Sequence, residues 1–494
     1  HPEATHLSGL AAAWGLGTLL MTFLLAKRVM DRRKAVLAVL ILATMTGFIL
    51  NMHWVRVDAA LVFAVSAAAW SFSEAYFGGK RWFCLLGGLF TATAFLAKGI
   101  IGPILVALLW LGLAIPWLMN QRGKKLDLFI GQHLLAVVVF AIPVGAWMLM
   151  LRFCGGPELW HEWFYDNHFG RLTGTATVLG HMRAGHPFYY VETLLFYALP
   201  WVPAVIIWFF RIARNLVKTR HIAAAEIFLA VWSILSILVL SASVTKRDIY
   251  LAPILPAFAL ICADMLTSEI PRWARYFFNF WFGLALLILA ASATAPLWIG
   301  LLTVPMPENT TAFLHSFTIR NLVAGAGLIA VIAIVIRGQN MEISVRLASI
   351  TAILFIAFFA VGGKAIDAEK KLGDGTRAFV SRIPAERRPK AAGWSFCETS
   401  RAMFYYYCDW TVPLIGDKKR LYRIVGGKDS EFDSVIVTRE DSISALFSNR
   451  SYRIITEEYV GAARHKRDFH WVEGPGRRET DSTNMKDGEI RSEK

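Results

Sequence analysis

The sequence predicts an all-α polytopic membrane bundle of about twelve transmembrane helices, followed by a small C-terminal α/β soluble domain. Three observations carry this. Apolar runs of about 18 to 20 residues, the length that crosses a bilayer core, recur through the first three quarters of the chain. Charged residues make up only 18% of the total, and they cluster between those runs and again after about residue 364. The hydrophobic share is 56% and the mean hydropathy +0.48, more apolar surface than a soluble chain of this length needs.

The runs lie at about 9–26, 35–52, 58–76, 82–97, 100–119, 128–151, 195–211, 223–241, 249–267, 277–300, 320–337 and 346–362. The stretch from about 35 to 76 is too long for one crossing and must turn near 51–58, its only polar break. The many Trp and Phe residues suit membrane interfaces. A net charge of +15 would also fit a nucleic-acid binder. These cations sit mainly at the ends of apolar runs, where the positive-inside bias puts them, so no nucleic-acid partner is expected.

Alternate connections, at about 27–34, 78–81, 120–125, 211–220, 268–275 and 337–346, all hold Lys or Arg; the first holds Lys27, Arg28, Arg32, Arg33 and Lys34. The other set is poorer in them for its length. The first set is therefore read as cytoplasmic, which puts both ends of the chain on the outer face. The chain opens at His1 without a signal-peptide pattern. One further upstream helix is expected, giving thirteen spans in all.

The expected domains are a transmembrane domain at 1–363 with an outer loop at 152–194, an outer α/β domain at 364–473, and a disordered polar tail at 474–494. Within the α/β domain, strand-like runs fall at Ala391–Phe396, Met403–Tyr407, Ser434–Val437 and Tyr452–Thr456. Cys84, Cys154 and Cys262 lie in or beside apolar runs and read as small core residues. Cys397 and Cys408 either pair, if that domain is outside the cytoplasm, or remain free thiols.

Ionisable groups near membrane depth are costly unless paired or functional. Those on the outer side are therefore the candidates. Asp58, in Arg56-Val57-Asp58, opens the third span. It can take a proton from an attacking hydroxyl, or merely pair with Arg56 or cap the helix. Lys98, in Leu96-Ala97-Lys98-Gly99, interrupts an apolar stretch. It is either a point charge for phosphate or a snorkelling lysine. Arg171 closes the loop Asn167-His168-Phe169-Gly170-Arg171. Its fork suits a phosphate, though an ordinary surface loop would look the same.

His186, in His186-Pro187-Phe188-Tyr189-Tyr190, reads more readily as structural than as a base. Lys246 and Arg247 precede Tyr250 at the outer mouth of a span. They either grip a lipid phosphate or only fix the turn. His161, His168 and His181 share the loop without a metal-ligand spacing such as HExxH, so a divalent cation is left open. No P-loop, Rossmann glycine fingerprint or GxSxG elbow supports nucleotide-driven or serine-hydrolase chemistry. Together, one carboxylate and several cations on one membrane face suit a phosphate carried on a long lipid tail.

These pieces, in order, resemble the GT-C glycosyltransferases of family 39, which include bacterial aminoarabinose transferases acting on lipid A and protein O-mannosyltransferases. The resemblance rests on Arg56-Val57-Asp58, Leu96-Ala97-Lys98-Gly99, the Asn167-to-Arg171 loop, His186 to Tyr190, and Lys246 through Tyr250 to Pro253 and Pro256. It covers about residues 1–265. The C-terminal domain resembles the periplasmic domain of the bacterial members less closely.

The resemblance implies a multi-pass protein of the bacterial inner membrane with a periplasmic C-terminal domain. It also implies inverting transfer of a sugar from a polyprenyl-phosphate donor to an acceptor. Lipid A is the favoured acceptor and a protein hydroxyl the alternative. Lys98, Arg171, Lys246 and Arg247 would hold the phosphate, with Tyr250 hydrogen-bonded to it. Arg56, His168 and His186 would contact substrate or support the fold. Asp58 would assist a principal catalytic Asp that the family carries in a first outer loop, expected upstream of His1. The sugar is open among aminoarabinose, galacturonic acid, galactosamine and mannose. A transporter or flippase for lipid-linked sugar would show internal repeats and midplane polar residues, and neither is evident. A sensor or scaffold would not need Asp58, Lys98 and Arg171 to converge.

Overall fold

The computed structural model describes residues 2–52, 56–120, 126–170, 186–218, 222–243, 246–267, 270–298, 319–370, 372–394, 396, 398–438, 443–447, 452–460 and 467–474. It divides into two compact units, one of membrane helices and one holding the C-terminal domain.

The membrane unit is built from α1 (Pro2–Val29), α2 (Arg32–Thr44), α3 (Thr46–Met52), α4 (Val57–Tyr76), α5 (Phe83–Lys98), α6 (Ile101–Asn120) and α7 (Leu126–Cys154). A short α8 (Gly156–His161) then runs into a wide turn of helix at Glu162–Gly170. α9 (Tyr189–Tyr197), α10 (Val202–Lys218) and α11 (Ala224–Ala242) follow. A tight helix at Asp248–Ile254 leads into α12 (Leu255–Leu266), and α13 (Arg272–Trp298), α14 (Ile319–Arg337) and α15 (Ile343–Lys370) complete the helices.

Among the described residues, nine helical stretches are long and apolar enough to cross a bilayer, or ten if α2 and α3 form one bent span. The remaining two of the twelve expected runs fall on shorter helices. α5 is apolar but has only 16 residues. α10 carries Arg211, Arg214 and Lys218 along its 17 residues and falls short as a span. The run expected at 195–211 is in fact two helices, α9 and α10, with a turn at Ala198–Trp201 that contains Pro200. The run at 35–52 bends by 62° at Met45, and the Thr46 N–H donates to the Leu199 carbonyl at 3.1 Å instead of continuing the helix.

Two segments form the centre. Along their most apolar stretches, 78% of α4 and 89% of the Asp248–Leu266 segment is buried, against 11% within Ile130–Cys154 of α7. Small residues explain the inner place of α4: Ala59, Ala64, Ser66, Ala67, Ala68 and Ala69 let neighbouring backbones approach. The buried hydroxyls of Thr22, Ser66 and Ser233 bond back to carbonyls four residues earlier, which satisfies them where there is no water.

Ion pairs knit one end of the bundle. Arg28 grips Glu74 through two bonds of 3.0 and 2.9 Å, and Lys80 reaches the same carboxylate at 3.1 Å. Asp264 takes Lys34 at 2.8 Å, the Trp208 indole at 3.1 Å and Arg211, which also meets Glu226 at 3.0 Å. Arg33 pairs with Glu342. The connections near residues 27–34, 78–81, 211–220 and 337–346 thus meet on one side, as the alternation of basic residues predicts. Cys84 and Cys262 are buried in this unit; Cys154 is exposed at the end of α7, against expectation.

The C-terminal unit contains α16 (Leu372–Ser381), β1 (Ala391–Trp394), α17 (Glu398–Cys408), β2 (Leu414–Ile415), α18 (Lys418–Val425), β3 (Ser434–Thr438), α19 (Ile443–Leu446), β4 (Arg453–Val460) and β5 (Arg467–Glu473). The sheet order is β2-β1-β3-β5-β4; β1 is parallel to β2 and β3, and β5 is antiparallel to β3 and β4. Ile436 faces one apolar layer with Phe379, Phe404, Phe469 and Trp471, while Val435 and Val437 face the other with Leu421 and Ile424. The expected strand at Met403–Tyr407 is helical instead. Ser400, Met403 and Phe404 are buried and Tyr405 is exposed, a helical spacing. Cys397 and the tail from 475 lie outside the described residues, and Cys408 has no disulfide partner among them.

Candidate functional site

α4 and α5 are antiparallel neighbours, so the first turn of α4 and the last turn of α5 share one end of the bundle. Asp58 stands in that first turn and Lys98 in that last one, each where the helix dipole favours its charge. They form a direct ion pair, with only 8% of the Asp58 side chain and 16% of the Lys98 side chain exposed. The Lys98 ammonium also lies 4.7 Å from the centre of the Tyr250 ring, a cation–π contact. Tyr250 is placed by the tight helix at Asp248–Ile254, where Pro253 fits the irregular backbone.

A pocket of about 370 Å³ opens at this point. Lys98, Tyr250, Ser243, Phe95, Trp147, Trp163 and His168 contribute to its wall, and Asp58 does not. Trp147 and Trp163 meet edge to face at 4.7 Å. His168 acts as a latch: its Nδ1–H donates to the Trp163 carbonyl at 2.7 Å, which leaves Nε2 to accept from the Ile100 N–H at 3.3 Å. Gly99 makes it possible. Its φ is +65°, and a Cβ there would sit 2.3 Å from His168 Nε2.

The other predicted residues are spread around this centre. The Lys246 ammonium donates to the Ser243 carbonyl at 2.6 Å, at the pocket margin. The Arg247 side chain is exposed, and its backbone N–H donates to the Tyr190 hydroxyl at 3.3 Å. Burial pushes the Tyr190 phenol well above its usual range, so it remains a neutral acceptor. Arg56 sits just before α4 in extended backbone, exposed. His186 pairs with Glu192 at 3.2 Å on an exposed surface and does not line the pocket. Arg171 lies outside the described residues. Among those described, no three His, Cys, Asp or Glu side chains converge as a metal-ligand set.

Sequence reasoning missed Trp147, Trp163, Ser243 and the latch role of His168. The glycine after Lys98 was the one available signal. A second, larger cavity of about 620 Å³ was also missed. It is apolar, bordered by Pro103, Val106, Trp110, Trp117, His133 and Phe140, and follows α6 away from the Lys98 pocket.

A family model described as dolichyl-phosphate-mannose-protein mannosyltransferase matches residues 5–147. The undecaprenyl phosphate-alpha-4-amino-4-deoxy-L-arabinose arabinosyl transferase of Aeromonas hydrophila is 29% identical over 311 residues, which are 58% of this chain and 52% of that protein. A Pseudomonas fluorescens protein of the same description is 26% identical over 278 residues, 54% of this chain and 47% of its own length. The chain spans about half the length of the curated relatives it matches.

Among solved structures, ArnT from Cupriavidus metallidurans bound to undecaprenyl phosphate aligns with a TM-score of 0.65 at 16% identity, covering 94% of this chain and 83% of that one. At that identity the likeness establishes the fold. The chain is a multi-pass membrane protein with the fold of the GT-C glycosyltransferases. Within that class its likenesses are to the aminoarabinose-transferase type.

Proposed function

We propose that this chain belongs to an enzyme that transfers a sugar from a polyprenyl-phosphate donor to an acceptor at the periplasmic face of the bacterial inner membrane. Lipid A is the favoured acceptor. The observation that carries the reading is Lys98: a cation on the wall of a pocket lined mostly by aromatic and aliphatic side chains, with a separate apolar cavity further along α6. A lipid phosphate suits the first feature and a polyprenyl tail the second. The arabinosyl transferase relatives and the lipid-bound ArnT fold support it.

In this reading Lys98 holds the donor phosphate and stabilises the charge that develops as the sugar C1–O bond breaks. The Tyr250 hydroxyl hydrogen-bonds the same phosphate. Lys246, Arg247 and Arg171 add positive charge around it. The acceptor oxygen bonds C1 from the opposite side, with inversion. Asp58 serves as a carboxylate of the site, for an acceptor hydroxyl that must lose its proton. An acceptor already ionised needs positioning more than a base. The reading also takes the C-terminal domain to be periplasmic.

The test is sugar transfer by the full-length protein in lipid nanodiscs, read as release of polyprenyl phosphate. Lys98→Ala is expected to lower kcat/KM by roughly a hundredfold or more, the cost of losing a donor that meets developing charge. Unchanged turnover would remove the pocket from the mechanism. Offering lipid A and a hydroxyl-bearing peptide side by side decides the acceptor; sugar on the peptide alone would favour the protein glycosyltransferase reading.

A further inference from the structure

The geometry of Asp58 and Lys98 points to a competition, and this inference rests on the proposed reading of the pocket. We infer that Asp58 and the lipid phosphate compete for Lys98, so that the carboxylate lowers the affinity of the site and drives the spent polyprenyl phosphate out of it.

Lys98 is the single Lys or Arg among the described residues of the pocket wall. Asp58, off that wall, holds its ammonium by a direct ion pair. A phosphate entering from the pocket and the carboxylate behind it therefore approach one cation from two sides. A buried ammonium cannot give its full field to both. Tyr250 adds a ring face but no formal charge.

The released carboxylate is not stranded. It stands in the first turn of a 20-residue helix, where the backbone N–H groups of α4 favour negative charge. The pair can therefore open without leaving an unsupported anion.

The competition falls unequally on donor and product. The sugar donor is a phosphodiester with one negative charge. When its sugar C1–O bond breaks, the electron pair stays with the phosphate oxygen. The product is then a phosphomonoester that carries close to two charges at neutral pH. Lys98, the cation on the pocket wall, balances the single charge of the donor more fully than the two of the product, and Asp58 repels the product more. Re-formation of the Asp58–Lys98 pair then accompanies product departure. Asp58 in this role acts through Lys98 and is a positioning residue, whatever it does for the acceptor.

The experiment measures binding of undecaprenyl phosphate to the full-length protein in nanodiscs, for wild type, Asp58→Asn and Asp58→Glu. Asp58→Asn is expected to bind at least tenfold more tightly than wild type. Added undecaprenyl phosphate is expected to inhibit transfer by that variant correspondingly more strongly. Asp58→Glu keeps the carboxylate and is expected to stay within threefold of wild type. Asp58→Asn binding equal to or weaker than wild type would overturn the competition, while the pocket's proposed function would stand. Wild type that binds undecaprenyl phosphate no better than undecaprenol would instead overturn the function. Asp58→Ser serves as a second neutral variant if Asn does not fold. Failure of both to fold would assign Asp58 to the stability of the bundle and would likewise overturn the competition.

Discussion

Gly99 ties backbone conformation to the candidate site at a single position. Its φ of +65° and ψ of −149° lie where only glycine is comfortable, and the His168 ring fills the space a Cβ would need. Gly99→Ala is expected to destabilise the protein by about 1–3 kcal/mol from backbone strain, with the lost latch in addition. Thermal unfolding in detergent measures it. Adding His168→Ala should recover the clash but not the strain, so the double variant is expected between wild type and Gly99→Ala. Lys98 and Asp58 were legible in the sequence as odd charges near membrane depth, because such groups are costly without a partner. That they are each other's partner was not legible: 40 residues separate them, and only the α4–α5 hairpin brings them together. His186 was singled out by its aromatic neighbours, yet in the structure it meets Tyr189 and Glu192 of α9 and not the pocket.

The helices carry two further expectations. Ala107 on α6 borders the large apolar cavity and is exposed. Ala107→Phe fills part of that space. If the cavity receives the donor tail, KM should rise for a long polyprenyl donor and stay unchanged for a short one; steady-state kinetics with two chain lengths checks this. At the other end of the bundle, Asp264 receives Lys34, Arg211 and Trp208. Asp264→Ala leaves two cations facing each other in a largely buried place. The expected cost is about 3 kcal/mol, seen as a lower denaturation midpoint. Apolar length predicted most of these helices correctly. It missed that the run at 195–211 breaks at Pro200 and that α10 carries its cations along an amphipathic helix. Run length alone does not register either feature.

The chain as a whole combines two units that obey different rules. The membrane helices were readable because a bilayer imposes one length on each of them. The C-terminal sheet was harder. β2 has only two residues, and β5 hides its alternation of Phe469 and Trp471 behind Asp468 and His470. Met403–Tyr407 passed for a strand because a short apolar run fits either period. This unit also carries a pH dependence.

Burial would raise the Asp429 carboxyl, but the N–H groups of Phe432 and Glu431 and the Arg420 guanidinium outweigh it and hold it below its usual value. Burial holds the His470 imidazole below its usual value, against the pull of Glu457. In both cases the unfolded chain binds protons more readily than the folded one, so stability falls on acidification. The loss is expected to begin below about pH 6.5 with His470 and to continue below about pH 4 with Asp429. Hydrogen exchange of the C-terminal residues in the intact protein, with and without Asp429→Asn, measures the lower step. A flat profile through that range would contradict it.

The most direct measurement is an experimental structure of the full-length protein in nanodiscs with undecaprenyl phosphate. The phosphate is expected within roughly 3 Å of the Lys98 ammonium, at charge-assisted hydrogen-bond distance, with the tail directed along α6. A phosphate seated among the basic residues at the Asp264 end, with the Lys98 pocket empty, would contradict the account.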